Sequence, residues 1–259
     1  MGYLLPESNR AFHDALQAKL KLILNKMKKA DLHLHTDFSD GLHSPREMVQ
    51  AASRAGLEFI AVTDHDTMEG AYRAQEYAKR RSDLKVEVIL GEEISTLNGH
   101  VVGLFLKSFI PPRLSAKRTV ELIHGQGGVA VLAHPFHLYT GKYPGHERAV
   151  DILPDIHFDG IETVNHGDAL SFWSNRKAQK VMTQSRLSNI GCSDAHSARF
   201  IGMGYTEFAG ATQQDLRQAI LDQTTQARYA RSWKLNDILI HLKNAAPVLS
   251  RYSKVLTES

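Results

Sequence analysis

The chain has one cysteine, Cys192, so an internal disulfide framework is excluded and a reducing compartment suits it. No run of about 18 apolar residues occurs, which argues against a membrane-spanning helix. The first residues are not expected to act as a secretory leader, because Phe12, Leu16, Leu20, Ile23, Leu24 and Met27 are interrupted by Asp14, Lys19, Lys21 and Lys26. Those apolar positions recur at helical spacing and predict an amphipathic helix, within residues 1–29, packed on the body of the protein. Neither charge sign dominates. A formal net charge of +3 makes no case for a nucleic-acid partner and is compatible with a phosphorylated substrate. Repeats, low-complexity tracts and linkers are missing as well. These absences leave a cytoplasmic single domain with no membrane contact as the default expectation.

What is present starts with 259 residues, 42% of them hydrophobic, enough to bury a core without a disulfide or metal staple. Short apolar, β-branched runs alternate with helical patterns. The expected strands are Ala30–His35, Glu58–Thr63, Val86–Leu90, Val101–Leu106, Val129–Ala133, Gly160–Val164 and Asn189–Cys192, with a last one near Met203–Phe208. Helix starts lie between them. Ser44-Pro45-Arg46-Glu47 combines an N-cap serine, proline at the first helical position and a glutamate three residues after the cap. Ser115 opens a segment ending at Gly125, Thr212 opens Gln213–Leu221, and Trp233–Lys243 reads as a final helix. Such alternation implies a parallel sheet flanked by helices. The stretch Pro135–Pro154, rich in Gly, Pro, His and Tyr, is a candidate loop or partial lid.

The 14 histidines are the larger anomaly. In Asp31-Leu32-His33-Leu34-His35-Thr36, a strand would send His33 and His35 to one face, about 7 Å apart along the chain. Two neutral imidazoles on one face make good ligands for Zn, Mn or Fe, although a pair of buried, hydrogen-bonded histidines would read the same way. The apolar run Phe59–Thr63 then ends in Asp64-His65-Asp66. Three ionisable residues after a buried strand cannot all be core, since burying unpaired charge is costly. They belong at the carboxyl end of the strand, where parallel α/β folds place their sites. Asp66 or Thr67 could partly serve as a helix cap; His65 has no such role. The pattern recurs at Glu92-Glu93, at His134 and at Asp194-Ala195-His196, and His100 stands beside Val101-Val102. One such coincidence is weak, but four in one chain are strong.

The ordered set DLHLHT, SDG, TDHD, GEEIS, a histidine before VVGL, LAHP and SDAH resembles the polymerase-and-histidinol-phosphatase (PHP) superfamily across roughly residues 30–225. The resemblance implies a distorted (β/α)7 barrel with a metal cluster at the carboxyl ends of its strands; residues 226–259, outside it, read as a helical extension of the same domain. It further implies two or three divalent ions, Mn, Zn or Fe. His33, His35, Glu93 and Asp194 would bind one; Asp40, His65 and His196 a second; and a bridging Glu93 with His100 and His134 a third. Glu93 is taken over Glu92 because Ile94-Ser95 follows it. No ligand position is missing, which implies an active hydrolase.

Metals held by such ligands suit in-line attack on a phosphoester by a bridging hydroxide. Asp64 and Asp66 are cast as residues orienting His65 and the hydroxide. Arg176, Lys177 and Arg199 are candidate phosphate-binding cations, with Lys142 and His137 weaker candidates for the substrate pocket. Cys192 reads as a small buried residue. The expected substrate is a small phosphorylated metabolite or nucleotide. An exonuclease or phosphodiesterase on short oligonucleotides and a metal-stabilised regulatory domain are the competing readings. A carboxylated-lysine amidohydrolase has no candidate lysine. Substrate identity, native metal, leaving-group acid and oligomeric state are not legible from the sequence.

Overall fold

The computed structural model describes residues 27–137, 142–167 and 171–230, together with Lys234, Asp237 and Ile240. Nine strands form one sheet: β1 (Met27–Asp31), β2 (Phe59–Val62), β3 (Glu87–Thr96), β4 (Gly99–Leu104), β5 (Val129–Leu132), β6 (Gly160–Asn165), β7 (Ser188–Cys192), β8 (Gly204–Ala209) and β9 (Gln226–Tyr229). Their order is β7-β6-β5-β4-β3-β2-β1-β8-β9. Pairing is parallel across β1, β2 and β3 and again across β5, β6 and β7. Strand β4 runs antiparallel to both neighbours, and β8 and β9 are antiparallel additions. The barrel-like α/β class holds, but the expected seven-stranded count does not. β3 continues past Leu90 and turns directly into β4 without a helix between them, and β9 adds an edge where a helical extension was expected.

The sheet nearly closes on itself. Beyond β1, Leu34 forms a parallel bridge with Ala195, and His35 N donates to Ala195 O at 3.1 Å. Within β7 itself, Gly191 N donates to Thr206 Oγ1 at 2.9 Å. A Cβ at Gly191 would stand 2.2 Å from Tyr205 O, so only glycine lets the β7 and β8 backbones approach this closely.

Side-chain alternation sorts the strands onto two buried faces, as strands covered on both sides require. Phe59, Ala61, Val129, Val131 and Phe208 share one cluster inside the barrel. Ile60 and Val62 pack in a second under α1 (Pro45–Arg54) and α2 (Glu69–Lys79), while Ala130 and Leu132 pack in a third with Val120 and Ile123 of α3 (Ala116–Gly125). Two further helices are α4 (Ser171–Ser185) and α5 (Gln213–Leu221). Leu216, Ala219 and Ile220 of α5 join the inner cluster. Gln213 reaches Glu87 and Arg217 reaches Gly127, at the starts of β3 and β5, so α5 plugs the amino end of the barrel. The carboxyl end is left as the open mouth.

Helix starts follow the local chemistry. Ser44 and Glu47 form a complete capping box at α1, Thr212 and Asp215 form another at α5, and Ser115 caps α3. The expected N-terminal helix lies outside the described residues, except that Met27, Lys28 and Lys29 are already in β1. Most of the expected Trp233–Lys243 helix lies outside them too. Among the described residues, no helix is long and apolar enough to cross a membrane.

Candidate metal centre

At the barrel mouth a single carboxylate organises five imidazoles. Glu93 Oε2 lies 3.0 Å from His33 Nε2, 3.2 Å from His35 Nε2 and 3.2 Å from His65 Nδ1. Its Oε1 lies 2.9 Å from both His100 Nδ1 and His134 Nε2. β3 supplies this carboxylate by alternation. Glu93 faces the mouth, while Glu92 points the other way and accepts from Ile110 N at 3.0 Å. Burial pushes the Glu92 carboxyl up to about 8, whereas Glu93 is held well below the usual range: burial opposes ionisation, but His65, His33 and His100 outweigh it.

The remaining ligand-type residues complete a ring. Asp194 Oδ1 stands 3.2 Å from His35 Nε2 and 3.6 Å from His33 Nε2. Asp40 lies 3.1 Å from His196, 3.4 Å from His35 and 3.7 Å from His65. All nine residues expected as ligands are therefore brought to one place: His33, His35, Asp40, His65, Glu93, His100, His134, Asp194 and His196. Two of them, and Asp66 beside His65, sit on sharp backbone turns. Asp66, Asp194 and His134 all have positive φ immediately after their strands or bridges, a conformation that collects at functional sites.

The donor chemistry fits divalent ions. His33 Nε2 and His35 Nε2 face each other at 3.0 Å, and only one hydrogen can stand between them. With Glu93 Oε2 they form one grouping able to hold an ion, the three atoms 3.0–3.2 Å apart and close to the ~3.4 Å ligand spacing around a tetrahedral ion with bonds of ~2.1 Å, and Asp194 Oδ1 stands beside both histidines. Groupings able to hold an ion also form from His35, Asp40, His65 and His196, and from His65, Glu93 and His100. Nδ1 of His35, His100 and His134 is buried without hydrogen-bond geometry to any partner, as expected of atoms placed for something other than protein contacts. The Cys192 sulfur lies beside His33 and Glu162, but burial pushes its thiol well above the ordinary range, so the set at the mouth is imidazole and carboxylate, which favours a catalytic over a structural zinc-type site.

Protonation follows the same layout. Burial alone would depress His33, but Glu93, Asp194 and Glu162 hold it well above the ordinary imidazole range. His35, opposed by burial and raised by Asp40, Asp194 and Glu93, reaches about 10. His65 goes the opposite way, to about 3, because burial and the neighbouring His35 and His100 outweigh its carboxylates. One cavity thus holds cationic and neutral imidazoles side by side.

The structure gives the supporting residues more specific positions than the sequence did. Asp64 accepts from Thr36 N, Thr36 Oγ1 and Ser39 Oγ at 2.6–2.7 Å, and so fixes the loop carrying Asp40. Asp66 Oδ1 accepts from Ser95 N at 2.7 Å, tying the end of β2 to β3. Arg176 and Lys177 are exposed on the first turns of α4. Arg199 is drawn aside by Asp237, with nitrogen–oxygen distances of 2.9 and 3.2 Å. Lys142 donates to His146 O, whereas the His137 ring stacks on His134 with centroids 5.1 Å apart.

Sequence reasoning passed over Glu162. Its Oε1 lies 2.7 Å from His33 Nδ1, and its Oε2 accepts from His134 N and Asn165 Nδ2, both at 2.8 Å. A carboxylate on the far nitrogen of a ligand histidine fixes its tautomer and raises its basicity. The signal was available: a glutamate inside the buried run Gly160–Val164 needs a partner. Glu162→Gln is expected to weaken metal affinity by about 10- to 100-fold with the fold intact, measured by competition with a chromogenic chelator. Unchanged affinity would reduce Glu162 to packing.

Comparison with known proteins gives a consistent picture. Residues 31–222 match the family model of the PHP domain. An uncharacterized protein of Methanocaldococcus jannaschii is 36% identical over 155 residues, 55% of this chain and 85% of its own length. A 5'-3' exoribonuclease of Haemophilus influenzae is 30% identical over 199 residues, which is 74% of this chain and 64% of that enzyme. Among solved structures, a two-domain protein from Bacteroides vulgatus containing a predicted PHP-like metal-dependent phosphoesterase superposes with a TM-score of 0.62 at 25% identity. That match covers 78% of this chain and 65% of the other.

Proposed function

Because this chain belongs to the PHP domain family and is a metal-dependent phosphoesterase, we propose that its substrates are nucleotides and short single-stranded oligonucleotides, cleaved at a terminal phosphoester. The convergence of nine His, Asp and Glu side chains around Glu93 carries the chemistry. The choice of nucleotides over other phosphorylated metabolites is supported by the exoribonuclease relative, which aligns with 74% of this chain. Small net charge favours short substrates over long strands.

Divalent ions held by this set, which His33, His35, Glu93 and Asp194 and the neighbouring groupings would bind, supply Lewis-acid stabilisation of phosphoryl oxygens and a water of lowered pKa. The protein's own groups do the positioning. Glu162 sets the His33 tautomer, and Asp64 with Thr36 holds the Asp40 loop. His33 and His35 are fully buried, while the side chains of His65 and His196 are 16% and 33% exposed. Substrate therefore enters over the His65–His196 side. Arg176 and Lys177 are the free cations best placed to attract its phosphates, since Asp237 neutralises Arg199.

Manganese-loaded protein should hydrolyse p-nitrophenyl phosphate, thymidine-monophosphate p-nitrophenyl ester or a 5'-phosphorylated trinucleotide. A His33→Ala/His35→Ala variant should lose that turnover. If all three substrates survive intact with metal shown to be bound, the proposal fails and a regulatory domain is the better account.

A further inference from the structure

Helix α4 presents an arrangement that the metal chemistry does not use. Its second and third residues, Phe172 and Trp173, are 59% and 69% exposed, and their rings pack edge to face with centroids 5.6 Å apart. Leaving two large aromatic side chains in water forgoes the burial that such residues ordinarily gain. The same helix carries Arg176, Lys177 and Lys180, all exposed, and no carboxylate anywhere in Ser171–Ser185. Residues three and four apart on a helix are neighbours, so Arg176 stands beside both aromatics and Lys177 beside Trp173. Aromatic surface and positive charge thus run together along one stripe.

The buried face of the same helix, opposite Trp173 and Lys177, is tied to the metal centre. Asn175, one turn along from Phe172, accepts from Asn165 N at 3.1 Å and donates to Asn165 O at 2.8 Å. Asn165 Nδ2 in turn donates to Asp194 Oδ2 at 3.1 Å. A Cβ at Gly167 would meet the same Asp194 oxygen at 2.5 Å, so the chain leaving β6 brushes the ligand. Tyr229, 44% exposed, accepts from Asn175 Nδ2 at 2.8 Å and packs edge-on against His166. The start of α4 therefore sits at the rim of the mouth, with its aromatic pair about one helical turn, ~5 Å, beyond Asn175.

We propose that Phe172 and Trp173 form a stacking platform for a nucleobase of the substrate, with Arg176 and Lys177 tracking the phosphates of the same strand. The inference rests on the phosphoesterase reading and narrows it to nucleic-acid substrates that carry a base next to the cleaved ester. Aromatic faces joined to a cationic track are what single strands recognise, and base identity matters little because every base has a π-face. An acidic protein would pair with the cations but has no use for two adjacent ring faces. A second copy of this chain would bring the same positive stripe against itself.

The test compares a 5'-phosphorylated adenosine trinucleotide with ribose 5-phosphate, which lacks a base. In Trp173→Ala, the ratio of kcat/KM for the trinucleotide to that for ribose 5-phosphate should fall about tenfold, through KM. Trp173→Phe should restore most of it. A second arm uses chelated protein in a Trp233→Phe background. There Trp173 fluorescence should be quenched by the trinucleotide and not by ribose 5-phosphate. An unchanged ratio with no quenching overturns the platform while leaving the phosphoesterase intact. An unchanged ratio with a shift from dimer to monomer assigns the pair to an interface between copies, and also overturns it. If wild-type protein turns over neither compound, the phosphoesterase reading fails, and quenching alone then decides the platform.

Discussion

Glu93→Gln should lower phosphoester turnover by about 10³-fold or more, because stabilisation by a bound metal is worth several kcal/mol and each 1.4 kcal/mol is tenfold. The substitution preserves shape, so what it removes is one oxygen and one charge. Both oxygens of Glu93 are in use: one faces His33, His35 and His65, the other His100 and His134. An amide nitrogen cannot ligate a cation, so whichever oxygen it replaces strands at least two imidazoles. Metal analysis should find at least one ion fewer per chain, with circular dichroism unchanged. Glu92→Gln is the matched control, since Glu92 faces Ile110 N on the opposite side of β3, and its turnover should stay within about twofold. If the two variants behave alike, the assignment of Glu93 as the organising carboxylate is wrong.

Strands that end in chemistry were the most readable part of the sequence. Phe59–Val62 followed by Asp64, His65 and Asp66 shows why: an apolar run that breaks into ionisable groups locates both a strand and its carboxyl end. Where the ionisable groups stay within a strand, the same logic misplaces its boundary. The apolar pattern of β3 stops at Leu90, yet the strand runs on to Thr96 because Glu93 is compensated by imidazoles and Glu92 by Ile110 N. This extension creates the β3–β4 hairpin in place of a helix and turns β4 antiparallel. At β1 the misreading is smaller. The regular strand ends at Asp31, and His33 and His35 flank Leu34, whose isolated bridge to Ala195 carries the run onward, with their ring centroids 5.0 Å apart. β9 carries no alternation, since Gln226-Ala227-Arg228-Tyr229 is a mostly exposed edge recognised only by its pairing with β8. Residues that act on ligands across the barrel, such as Glu162 on His33 and Asn165 on Asp194, are more than a hundred or some thirty positions away in the chain, and spacing alone cannot pair them.

Metal loading should release protons and raise thermal stability together, and the layout fixes both signs. In chelated protein nearby carboxylates raise His33, His35 and His134 above the ordinary imidazole value, His35 to about 10, and because only one hydrogen fits between the Nε2 atoms of His33 and His35, one of that pair is the imidazolium at pH 7. Ligation requires neutral imidazole, so an ion that binds there must displace that proton. Manganese added to weakly buffered, chelated protein at pH 7 should liberate at least one proton per chain. Release should shrink as pH rises through about 10, where His35 has already lost its own. Without metal the linkage acts on folding itself. A histidine whose pKa is raised by folding contributes stability that is complete below about 6.5 and is lost as pH rises through its folded value. Chelated protein should therefore be more easily unfolded at pH 10 than at pH 6. Ion binding to the folded state alone adds about 4 kcal/mol at 1,000 times Kd, which for a domain of this size raises the Tm by roughly 8–16 °C. Calorimetry with and without manganese, at both pH values, reads the two effects at once. A Tm that ignores manganese, with no protons released, would mean that the nine converging side chains bind one another rather than metal.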